Sequence, residues 1–135
     1  MCKLTNKNDN LQVKGYKVAY KEKSLYYSIA TGIEYKIGPV PTPTTQYALS
    51  GFFAQGLLNP KNQLHKKDFY GKTAVFSDKD EAHRLKMDFY HLVKTDKEIV
   101  ILKMKLSGDL WDGTYEFITK IVAGNHIDSI KEIGD

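Results

Sequence analysis

The side chains able to do chemistry are scattered along this chain. Its four histidines, His65, His83, His91 and His126, fall in no HxxxH, HExxH or HxE pattern, so the spacing that brings two ligands onto one metal is missing. The single cysteine, Cys2, follows the first methionine. One thiol makes no internal disulfide, and without a CxxC pair it makes no zinc site. The GxSxG turn that presents a nucleophilic serine is absent, as are the phosphate-cradling GxxxxGK[ST] and the dinucleotide GxGxxG. Asp78, Asp80 and Glu81 form an acidic cluster. Acids at a helix start satisfy its open N–H groups and complement its dipole, which accounts for them without a metal. No catalytic residue, metal or cofactor is therefore expected.

Tyrosine and lysine are plentiful instead. Of nine tyrosines, Tyr16, Tyr20, Tyr26, Tyr27 and Tyr35 lie in the first β region among Lys14, Lys17, Lys21, Lys23 and Lys36. Tyrosine gives a large contact area at low entropic cost, and aromatics interleaved with lysine can stack bases. Strands also favour tyrosine for purely structural reasons. The expected partner- or ligand-binding residues are Tyr26, Tyr27, Tyr35 and Lys36 here, and Lys66, Lys67, Phe69 and Tyr70 in the irregular stretch 44–72, since long loops often carry function. Neighbours in a strand point to opposite faces, so one of Tyr26 and Tyr27 is expected in the core. Trp111, after a turn at Gly108 and Asp109, is expected to plug the core.

The elements that must position these residues follow from periodicity. Residues 15–20, 25–30 and 33–38 alternate as strands, the first two joined by a polar turn at 21–24, and Ile33, Tyr35 and Ile37 are expected on one face. Pro39, Pro41 and Pro43 predict an extended surface connection. Residues 73–76 predict a short strand. A helix follows from about residue 78 to 93, with Ala82, Leu85, Phe89, Leu92 and Val93 on its buried face and Arg84, Lys86, Asp88 and His91 in solvent. Residues 98–106 read as a central strand, with Lys103 and Lys105 marking where one face meets water. Residues 114–123 read as one further strand. Ile127, Ile130 and Ile133 recur every third residue, which predicts a terminal strand with an irregularity. The expected fold is α+β, a twisted and mainly antiparallel sheet with one principal α-helix packed on it. Residues 1–12, polar and rich in asparagine, are expected to be a flexible segment before a single domain at 13–135.

The chain has 135 residues, 41% of them hydrophobic, and a net charge of +4. That suffices for one core without disulfides or metals. Of 20 basic residues only Arg84 is arginine. Nucleic-acid and phosphate sites favour the planar arginine fork, so nucleic-acid binding ranks below other readings. The first residues have no apolar core like that of a signal peptide. No apolar run approaches the ~20 residues that cross a bilayer. A cytoplasmic protein without a membrane partner is expected.

The order of signals resembles a family of small uncharacterised phage and prophage proteins. The resemblance rests on a GYKV-type strand (Gly15 to Val18) and a YKIG-type strand (Tyr35 to Gly38). It continues through the strand-to-helix step Val75-Phe76-Ser77-Asp78, a lysine-rich apolar strand ending at Gly108, and a KEI-type tail at Lys131 to Ile133. This sequence lacks the cysteine-containing middle stretch of many members and carries a longer insertion there. The resemblance implies a phage or mobile-element origin, in a bacterial host cytosol, and brings no functional residues with it. The expected function is non-catalytic: an accessory protein that binds a host protein or a small anionic ligand, with counter-defence as its context. The alternatives are a nucleic-acid-binding protein and an ADP-ribosyltransferase-like enzyme with dispersed active-site residues.

Overall fold

A computed structural model describes residues 2–29, 32–41, 71–92, 97–115 and 118–134. In chain order its elements are β1 (Cys2–Lys7), β2 (Gln12–Glu22), β3 (Leu25–Ser28), β4 (Gly38–Pro39), β5 (Thr73–Phe76), α1 (Lys79–Leu92), β6 (Glu98–Ser107), β7 (Trp111–Tyr115), β8 (Thr119–Gly124) and β9 (His126–Ile133). All pairings are antiparallel, in the order β1-β7-β8-β5-β2-β6-β9-β4, with β3 also paired to β2.

The spine is β2 against β6, in register from Gln12 opposite Ser107 to Lys21 opposite Glu98. The other edge of β2 is shared. β5 meets it at Tyr16 and Phe76, and β3 takes the stretch from Ala19 to Glu22. Gly15 makes the crossing with β5 feasible. A Cβ there would lie 2.4 Å from Val75 Cγ2 and 2.5 Å from the Phe76 carbonyl oxygen. The hairpin from β2 to β3 turns at Lys23 and Ser24, both with positive φ (52° and 66°). That is the type I′ signature, whose twist matches the flanking strands.

Each sheet face carries a buried cluster. One carries Val18, Tyr20, Phe76, Ile99, Ile101 and Ile121, covered by Ala82, Leu85 and Phe89 of α1. The opposite face carries Ala19, Val75, Val100, Leu102, Met104 and Leu106, with Tyr35, Leu110 and Ile127. The sheet curls around this second cluster. Gly124 of β8 comes so close to β6 that a Cβ on it would lie 3.0 Å from Leu106 Cβ, although β5 and β2 separate the two strands in the sheet.

The α+β expectation is corrected. Nine strands accompany a single 14-residue helix among the described residues, so the fold is sheet-dominated. Two stretches account for the difference. Cys2–Lys7, in the segment expected to be flexible, is strand β1 on β7. An edge strand needs backbone partners more than apolar side chains, so its polar composition concealed it. Of the residues expected as one strand from 114 to 123, Thr114 and Tyr115 end β7 while Thr119 to Ala123 belong to β8, which pairs antiparallel with β7.

Ile33, Tyr35 and Ile37 do not share a face, since Tyr35 is buried and Ile37 is 68% exposed. Tyr35 N–H donates to the Tyr26 carbonyl at 2.8 Å, and Glu34 makes only an isolated bridge with Tyr27. On α1, Asp78 caps the start through the Asp80 N–H at 2.8 Å, but Lys86 is buried, its Nζ 5.7 Å from the centre of the Tyr90 ring. A lysine stem packs well along apolar surface while its head finds a partner. Leu110 plugs the core, and Trp111 is half-buried with its Nε1–H donating to Asp109 at 3.0 Å. Val93 and the side chains of His91 and Leu92 lie outside the described residues.

Candidate anion-binding face

Alternation along a strand sends every second side chain to the same face, so the register shows which lysines meet. On the helix side, β2, β6 and β9 present four consecutive rows. They are Val18-Ile101-Ile133, then Tyr16-Lys103-Lys131, then Lys14-Lys105-Ser129, then Gln12-Ser107-His126. α1 packs over the first, apolar row. The next rows lie beyond it, with Lys14, Lys105 and Lys131 exposed and Lys103 half-buried.

Lys14 is thus directly opposite Lys105, and Lys103 directly opposite Lys131. Directly opposed residues have Cβ atoms about 5 Å apart, and like charges there are destabilising. Ion pairs among the described residues engage Lys21, Lys36, Lys72, Lys97 and Arg84, and none engages these four. The result is a cationic array on three strands, with Tyr16 at its border.

The last row is held by a bulge. Lys105 faces Ser129 and Leu106 faces Ile127, which leaves Asp128 as the extra residue of β9. The bulge resets the alternation. Ile127 and Ile130 can therefore both join the second core cluster while Ile133 joins the helix side. Asp128 gathers the whole row. Its Oδ2 accepts from Gln12 Nε2 at 2.8 Å, and its Oδ1 accepts from Ser107 Oγ at 2.7 Å and lies 2.7 Å from His126 Nδ1. Hydrogen bonds from Gln12 and Ser107, then from His126, hold its carboxyl below the ordinary value.

Serine, histidine and aspartate meet here, yet not as a relay. A catalytic triad sets histidine between serine and carboxylate, so that the imidazole takes the hydroxyl proton. Here the Ser107 hydroxyl donates to Asp128 itself. The cluster fastens three strands. Among the described residues, no group of three His, Cys, Asp or Glu converges as a metal would require.

The residues expected from the sequence are dispersed. Tyr26 faces the second core cluster, and its hydroxyl donates to Glu132 Oε1 at 3.1 Å, an oxygen that also pairs with Lys21 Nζ at 3.1 Å. Burial, then Glu132, pushes the Tyr26 hydroxyl above its ordinary range. Tyr27 faces the helix side, stacked on Tyr20 at 5.1 Å between ring centres. Tyr35 is buried, and Lys36 is exposed, 3.8 Å from Glu34. No single tyrosine patch forms from these three. Lys66, Lys67, Phe69 and Tyr70 lie outside the described residues.

Comparison with protein-family models, curated proteins and solved structures finds no match. Among the described residues no helix is long and apolar enough to cross a membrane. Sequence reasoning marked Lys103 and Lys105 as solvent-facing but missed the array. The alternation of β2 and β6 was a signal for Lys14, Lys103 and Lys105. Their mutual register, and the arrival of Lys131 beside them, had none.

Proposed function

We propose that this is a non-catalytic binding protein whose partner is anionic and is held by the lysine face of β2, β6 and β9. One observation carries the reading: two lysine pairs directly opposed across strands, without a carboxylate partner among the described residues. Such an arrangement costs stability in the unbound protein, and an anion set over it would relieve that cost. The non-catalytic part draws support from the Ser107–His126–Asp128 cluster, whose bonds are all directed at Asp128.

Elution from a polyanionic matrix such as heparin–agarose tests this. The variant with Lys14, Lys103, Lys105 and Lys131 changed to Gln should elute at clearly lower salt than the variant with Lys3, Lys7, Lys23 and Lys36 changed to Gln. Both lose the same charge. Equal elution of the two would mean that net charge, and not this face, governs binding.

A further inference from the structure

We infer that the anion on this face is a single strand of nucleic acid, with phosphates on Lys14, Lys103, Lys105 and Lys131 and a base against Tyr16. This rests on the anionic-partner reading above. The lysines are spread over three strands and two rows, strands about 4.8 Å apart and rows roughly 7 Å apart. Separated charges on an exposed surface suit a chain of charges. A small anion needs donors that converge in a concavity, and the one arginine, Arg84, is engaged with Glu81 on α1. A protein partner would need an apolar anchor at the centre of the contact. The three rows beyond the helix hold only Gln, Ser, His, Lys and Tyr, with no aliphatic side chain.

The aromatic side chain sits where a stacked base would use it. Tyr16 is opposite Lys103 and also lines an open cavity of about 480 Å³ with Ser77, Lys79, Thr119, Lys120 and the exposed Ile118. Two acids on that cavity are already engaged, Asp78 with the Asp80 N–H and Glu81 with Arg84. A cationic surface beside an aromatic ring binds single strands without regard to sequence, because every base has a π face. A duplex hides those faces and is read through bidentate arginine contacts, which this face does not offer.

Fluorescence anisotropy with a labelled oligothymidylate, over a salt series, tests the inference. Four phosphate contacts predict a log–log salt slope of roughly −3. Changing Lys103 and Lys105 together to Gln should make that slope shallower by about 1.4. Tyr16→Leu should weaken binding about tenfold at unchanged slope, and Tyr16→Phe should bind as the native protein does. Since Tyr16 also packs on the core, thermal melts accompany both variants, and the exposed lysine changes test the surface independently. If polyglutamate binds as tightly as the oligonucleotide and Tyr16→Leu has no effect on either, the nucleic-acid inference falls and the anionic-partner reading stands. Preference for phosphatidylserine vesicles over the oligonucleotide would have the same consequence. Binding to none of the three, or binding indifferent to the lysine changes, overturns both.

Discussion

Asp128 shows how much one carboxylate can organise. Its three hydrogen-bond partners come from β2, β6 and β9, so its ionised form ties together the row at the end of the lysine face. Its folded-state carboxyl lies below the ordinary value, first because of Gln12 and then Ser107. The ionised form is therefore favoured by folding. The stability it adds is fully present above the unfolded carboxyl range and is lost as pH falls through the lower folded value. Asp128→Asn should lower the urea midpoint at neutral pH, and the gap from the native protein should close as pH drops below about 4. A gap that stays constant down to acid pH would show that the charge of Asp128 contributes nothing. Lys105 gives a second test. Lys105→Glu turns the repulsion from Lys14 into attraction and should stabilise the protein by about 0.2–1 kcal/mol, while weakening polyanion binding. A variant that melts no higher and binds as before would separate these lysines from both effects.

At the level of elements, the turn between β2 and β3 bears a visible cost. Lys23 and Ser24 both occupy the left-handed region, which is worth roughly 1–2 kcal/mol per non-glycine residue. The type I′ turn is the natural home of Asn-Gly. Replacing the two residues by Asn and Gly should raise stability by about 1 kcal/mol once the greater chain entropy of glycine is offset, read as a higher urea midpoint with unchanged slope. A lower midpoint would show that Lys23 has a larger role here, for instance beyond its backbone. The same hairpin explains why the tyrosines part company. Tyr26 and Tyr27 are adjacent in β3, so one joins each face. The expectation that only one of them could be core underestimated the sheet, since each of its faces carries a buried cluster.

In the whole molecule, the lysine face lies beyond the apolar rows that pack against α1. The helix spans 14 residues, or roughly 21 Å, and covers the Val18-Ile101-Ile133 row, leaving the rows beyond it uncovered. Several features were legible in the sequence because they are local. The β2–β3 hairpin, strand β5, the Asp78 cap, the apolar face of α1 and the central place of β6 all follow from alternation, helical spacing or capping chemistry. The irregularity near Ile127 was legible too, as a broken period whose cause is the bulge at Asp128. What remained hidden depends on partners distant in the chain. β1 is polar and declares itself only by pairing with β7, over a hundred residues away. Lys14, Lys105 and Lys131 lie far apart in sequence, and their meeting follows from the order β2-β6-β9 and from register, which no residue specifies alone. Local composition thus determined the segments whose alternation, spacing or capping is strong, such as β2, β5, α1 and β6. Tertiary pairing decided that the fold is a sheet with one helix, and that like charges stand face to face, because strand order and register are set by contacts across the whole chain.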